Sequence, residues 1–113
     1  MLADTYTGHN LVAEVHGLAE YNAFNSGLRT AFPDLRINVE DEIAEGDRAA
    51  FRWTMRGTNR GALMGVPATG KPMQISGSTI IRVAGGRIVE SWTHADFLGM
   101  FQQLGIIPAL GAG

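Results

Sequence analysis

Two stretches of residue-by-residue alternation, each broken by a glycine-bearing turn, constrain this chain more than any other feature. In "LRINVEDEIAEGDRAAFRWTMRG", Leu35, Ile37, Val39 and Ile43 alternate with polar residues, and Phe51, Trp53 and Met55 do so against Arg52, Thr54 and Arg56. A period of two is the signature of a half-buried strand, and the "EGD" between the runs is turn chemistry, so the segment predicts an antiparallel hairpin. Residues 73 to 83, "MQISGSTIIRV", and 87 to 95, "RIVESWTHA", flank Gly85-Gly86 and predict a second hairpin.

Helices are expected on either side of these strands. From Gly17 to Phe32 the apolar residues Leu18, Tyr21, Phe24, Leu28 and Phe32 fall three and four apart, along one side of a helix. That helix must stop at "FPD", because Pro33 cannot donate a ladder hydrogen bond and pushes its predecessor out of the helical region. After Asp96, Phe97, Met100, Phe101 and Leu104 repeat the helical spacing and Gly105 sits where a helix would end. Between the hairpins, "GTNRGALMGVPATGKP" holds four glycines and two prolines in sixteen positions and reads as a long irregular connection.

One helix, four long antiparallel strands and a short terminal helix make an α+β arrangement, a curved sheet with helices on its concave side. At 113 residues and 45% hydrophobic content, a single domain over residues 1–113 is expected. Some strands carry apolar residues on both parities, Ile75 and Ile81 against Ile80, so the second face also needs cover, and a homodimer through the sheet face is the expectation.

Composition removes several function classes. Nine basic against eleven acidic residues leave a net charge of −2 without a basic cluster, which argues against nucleic-acid binding. No window reaches the roughly 18 apolar residues of a membrane span. With no cysteine and no basic or apolar leader in "MLADTYTGHN", the expected location is the cytoplasm. His9, His16 and His94 have no metal-ligand spacing, and neither a phosphate loop nor a serine nucleophile elbow is present. No metal and no cofactor are expected, which leaves acid–base work or plain binding.

The segment "ESWTHAD" carries the candidates. Asp96 ends a strand and opens a helix, where aspartate is a favoured N-cap. It also shares parity with Trp92 and His94, so a strand alternating through residue 96 would point all three to one side. In a pocket lined by tryptophan and methionine, desolvation would raise the aspartate pKa and suit it to general acid–base catalysis, with His94 as a second proton carrier. Trp53, Met55, Met64, Trp92 and His9 are the candidate ligand contacts, the tryptophans because they can stack on a planar molecule. Glu90 is expected to pair with Arg82 or Arg87.

Over residues 16 to 108 the chain resembles the SnoaL-like polyketide cyclases of the nuclear-transport-factor-2-like superfamily. The resemblance is carried by "AFPDL", "AEGDR", "RGT" followed by "GVPATGK", "RVAGGRIVESW", and an aspartate followed by "LGMFQQLG". It implies a cone-shaped α+β roll whose helices and curved sheet enclose an apolar pocket, usually in a sheet-to-sheet homodimer. It also implies cofactor-independent, intramolecular aldol ring closure with one aspartate as general acid and base, and the matching residue is Asp96, four after Trp92. The family's alternative is a non-catalytic binder of apolar small molecules, or a dimerisation module. Asn59 stands where members often carry a histidine, and Pro67-Ala68-Thr69-Gly70 replaces "PPTG". Members also carry a helical segment before the region resembling "DTYTGHN", near which this chain starts, so dimer contacts are expected to cover the apolar surface it leaves.

Overall fold

In the computed structural model, which describes residues 2–10, 14–63 and 65–107, both expected hairpins form. Strand β3 (Arg36–Glu45) turns at Gly46, φ 61°, into β4 (Arg48–Thr58). Strand β5 (Pro72–Ala84) turns at Gly85 and Gly86, φ 60° and 76°, into β6 (Arg87–Ala95). Two consecutive positive φ angles give the twist that matches paired strands, and glycine adopts them without steric cost. β4 also pairs with β5, so the four strands form one antiparallel meander.

Helix α1 (Gly17–Ala31) ends one residue before the proline-imposed limit, and the Phe32 N–H donates to the Leu28 carbonyl at 2.9 Å. Helix α2 (Phe97–Leu104) begins at Asp96 and stops at Gly105, whose left-handed φ of 77° ends the ladder.

Among the described residues the sheet has six strands, where the alternation predicts four. Two further strands precede α1: β1 (Leu2–His9), and β2 (Glu14–His16), which pairs antiparallel with it. β1 lies parallel to β6, giving the order β2-β1-β6-β5-β4-β3 in an open, mixed sheet. Local pattern missed β1 because its inward positions include Ala3 and Gly8, which carry little hydrophobic signal, and because no turn announces a parallel partner 80 residues away.

A second departure lies within β3. Its pairing with β4 shifts between Val39 and Asp41, leaving Glu40 as an extra residue. The bulge reverses the parity that the alternation implied. Ile37 and Val39 sit opposite Met55 and Trp53 on the helix-covered face, whereas Ile43 sits opposite Ala50 on the other. β3 is also an edge, exposed along its whole length, with Ile43 73% exposed.

The core fills the space between the helices and one face of the sheet. Phe32 and Leu104 are fully buried, and Met55, Met73, Ile75, Phe97 and Met100 pack with them. The connection between β4 and β5 is held by Asn59, itself fully buried. Its Nδ2 donates to the Gly61 carbonyl at 2.8 Å, and its Oδ1 accepts from the Thr69 N–H at 2.9 Å and the Thr69 hydroxyl at 3.0 Å. The asparagine that replaces the resembled histidine is thus a fastener of the loop. Asn59→Ala strands these groups and is expected to lower unfolding free energy by about 1–3 kcal/mol. Urea titration with protease mapping checks it: wild-type stability and an uncut 60–70 loop would remove this role.

Candidate functional site

Strand β6 divides its residues between two faces, and so divides the candidate set. Its inward residues Ser91, Thr93 and Ala95 pair across to Ile81, Thr79 and Gly77 of β5, while Glu90, Trp92 and His94 pair to Arg82, Ile80 and Ser78 on the outer face. On the inward face, α1 and the sheet flank a partly open cavity of about 260 Å³, just below the roughly 300 Å³ at which ligand-site sizes begin. Tyr21, Phe24 and Leu28 of α1 form its roof, Trp53 and Met55 line its floor, and Phe97 closes one end. An adjoining cleft of about 280 Å³ shares Phe24, Leu28 and Phe97 with it.

The cavity is largely apolar, with Asn10 and Asn25 in its lining and a strip of hydroxyls along the floor. The Trp53 indole Nε1–H donates to the Thr79 Oγ1 at 3.0 Å, which lies 3.0 Å from the Thr93 Oγ1. The Tyr6 and Ser91 hydroxyls bond to each other at 2.5 Å. Such a surface can hold a molecule that is mostly apolar and carries a few oxygens. Ser91, Thr93 and Thr79 were not candidates in the sequence, because isolated strand hydroxyls carry no distinguishing spacing.

Trp53 and Met55 line this cavity, whereas Trp92, His94 and His9 lie on the opposite face and do not share it. His9 and Trp92 are partners in the β1–β6 pairing, and their rings stack with centroids 5.8 Å apart. The Arg48 guanidinium lies 5.3 Å from the Trp92 ring, a cation–π distance. His94 is exposed beside them. Met64 lies outside the described residues.

Asp96 departs from the expected alternation because β6 ends at Ala95 and the chain turns into α2. Its carboxylate is exposed and caps the helix, Oδ1 accepting the Gly99 N–H at 2.9 Å. A Cβ on residue 99 would collide with that carboxylate, so the glycine leaves room for the cap. Asp96 adjoins Phe97, which lines the cavity, but is not itself part of the lining. The desolvating apolar cup expected around it is not formed by the described residues.

A family model for SnoaL-like polyketide cyclases matches residues 1–104. The chain belongs to this family. Among its relatives, the aklanonic acid methyl ester cyclase DnrD of Streptomyces peucetius is 30% identical over 93 residues, 81% of this chain and 64% of that protein. The chain thus spans less than two thirds of that relative's length. TsrD of Streptomyces laurentii has a similar structure, with a TM-score of 0.84 and 28% identity over 94% of this chain and 78% of its own. IdmH of Streptomyces antibioticus matches with a TM-score of 0.75 and 32% identity over 93% of this chain and 82% of its own. A ketosteroid-isomerase-like protein of Catenulispora acidiphila, 15% identical over 92% of this chain and 76% of its own with a TM-score of 0.78, shares the fold.

In this SnoaL-like chain the outer face carries the concentrated charge. His9 bridges two carboxylates, Nε2 to Glu90 at 2.8 Å and Nδ1 to Glu14 at 2.6 Å, and Glu90 also accepts from Arg82 at 3.2 Å. The expected Glu90–Arg82 pair is present, and histidine joins it. Among the described residues, no group of three His, Asp or Glu is placed to hold a metal ion, and no helix is long and apolar enough to cross a membrane.

The Glu90 and Glu14 hydrogen bonds hold the His9 pKa above its ordinary 6.5, and the His9 hydrogen bond holds Glu90 below its ordinary 4.5. The raised histidine contributes stability that is complete below pH 6.5 and is lost as pH rises through its folded value. The depressed glutamate contributes stability that is complete above pH 4.5 and is lost as pH falls through its folded value. Thermal unfolding across pH is expected to show wild type exceeding His9→Gln by most between pH 4.5 and 6.5, with the gap closing as pH rises beyond 6.5 through the folded value of His9. A gap independent of pH would exclude the bridge as its source.

Proposed function

We propose that this SnoaL-like chain is a cofactor-independent acid–base catalyst of intramolecular aldol ring closure on an apolar, oxygen-bearing small molecule. The observation that carries the proposal is the cavity between α1 and the sheet, with its apolar walls and hydroxyl floor, placed beside the Asp96–Phe97 junction. The substrate would lie on Trp53 and Met55, its reacting carbon toward that junction. The Asp96 carboxylate takes a proton from the carbon between two carbonyls, and the resulting enolate carbon attacks a second carbonyl of the same molecule. A new carbon–carbon bond forms, and the alkoxide produced takes the proton back from the aspartic acid. Protons and electrons balance without a co-reactant.

A specific observation favours a second reading, a non-catalytic binder. Asp96 is exposed and already has work as a helix cap. Function resides in the site and not in the fold, so either use is compatible with the family. Asparagine caps a helix as well as aspartate but cannot carry a proton, which makes Asp96→Asn the discriminating variant. With aklanonic acid methyl ester and simpler aryl 1,3-dicarbonyl compounds as substrates, it is expected to keep the wild-type unfolding midpoint and to lose about 100-fold or more in turnover. Ligands that stabilise both proteins, with turnover by neither, would establish the binder.

We also propose that the chain forms a homodimer through the outer sheet face. Ile43, Ala50, Ile80 and Trp92 lie side by side across β3 to β6 in an apolar row, with Ile43 73% and Ile80 42% exposed. Charged rows containing Asp41–Arg52 and Arg82–Glu90 flank it. Sedimentation at micromolar concentration is expected to give a dimer for the wild type and a monomer for Ile80→Glu. A monomeric wild type would remove the proposal.

A further inference from the structure

The hydroxyl strip in the cavity floor holds more hydrogens than it uses. Trp53, Thr79 and Thr93 bring three polar hydrogens to two internal hydrogen bonds, so whichever way the threonine pair is oriented, one O–H is left over. Both threonines line the cavity. The indole is a donor only, so Thr79 accepts from it, and a hydroxyl that already accepts is a stronger donor to the next oxygen. That polarity runs from Trp53 through Thr79 to Thr93 and leaves the spare hydrogen on Thr93.

The chain of donors is built, and its construction extends to the backbone. Gly77, opposite Trp53 in the β4–β5 pairing, has no positive φ to explain it. A Cβ there would come within 2.6 Å of the Trp53 ring and 2.7 Å of the His94 carbonyl of β6. The missing side chain lets the indole lie across β5, from which its nitrogen reaches Thr79 two residues along the same strand. Glycine inside a strand weakens it, so this placement is maintained against the local preference of the sheet.

Resting on the reading of this cavity as the ligand site, we propose that Thr93 is a specificity-determining donor that binds a carbonyl oxygen of the ligand, polarised by Trp53 through Thr79. The ligand class is then an aryl ketone or related carbonyl compound, and apolar molecules of the same shape without the oxygen are discriminated against. In a ring closure, the same hydrogen bond strengthens as the carbonyl becomes an enolate. A site that hydrogen-bonds an oxygen rejects the analogue lacking it, because its own polar group is left unpaired.

Two probes that differ only by the carbonyl oxygen test this: 6-acetylnaphthalene-2-sulfonate and 6-ethylnaphthalene-2-sulfonate, titrated calorimetrically. Wild type is expected to bind the ketone about tenfold more tightly than the ethyl compound. Thr93→Val removes the preference while binding the ethyl compound at least as tightly as wild type does, Thr93→Ser keeps it, and Thr79→Val and Gly77→Ala reduce it. The ethyl compound serves as the control for folding and for an intact cavity. A ketone preference undiminished in Thr93→Val, or absent from the wild type while both probes bind, overturns the role of Thr93 and leaves the cavity reading standing. Failure of both probes to bind the wild type overturns both.

Discussion

Strand β6 has a hydrogen-bonded neighbour on each side and a different environment on each face, and the organisation of the site follows from that constraint. Antiparallel pairing to β5 and parallel pairing to β1 place it inside the sheet, where a change of one residue in register would exchange its two faces. Its inward residues are small or hydroxylated, and each finds a place: Ser91 with Tyr6, Thr93 with Thr79, Ala95 beside the core. Its outward residues are large or charged, and His9, Arg48 and Arg82 meet them. Period two thus separates a ligand-sized cavity from a charged outer surface within a nine-residue strand.

The two faces obey different energetics. On the inner one, each hydroxyl pair contributes about 1 kcal/mol net, so its larger effect is to fix the direction in which hydrogens point, and Gly77 yields strand stability to let Trp53 take part. On the outer one, the ion pairs are half-exposed and are worth little individually. Their arrangement nevertheless matters for topology. His9 reaches from β1 to Glu14 on β2 and to Glu90 on β6, connecting the edge hairpin to the interior of the sheet.

The cavity and the candidate acid are correspondingly separated in this chain. The cavity presents aromatic rings and hydroxyls, while the acid candidate Asp96 stands at the strand-to-helix junction and spends one carboxylate oxygen on the helix N-terminus. A cap of that kind holds an aspartate in one orientation, which is useful both to a helix and to a catalyst.

The sequence by itself determined the elements whose causes are local. Alternation and paired glycines specified the two hairpins, three-and-four spacing specified α1 and α2, and Pro33 set the end of α1. Motif order also pointed to the family and to the capping aspartate. Only the tertiary structure decided which residues meet. The parallel β1–β6 pair spans most of the chain, and inward Ala3 and Gly8 gave β1 no hydrophobic signature. The bulge at Glu40 moved Ile43 to the other face, and the end of β6 at Ala95 took Asp96 out of the alternation that had grouped it with Trp92 and His94. Side chains on one strand share a face only while the strand lasts, and those on different strands meet only through register. Period can be counted along a chain, but register depends on long-range pairing, and that is why Trp53 found Thr79 and Thr93 instead of Trp92.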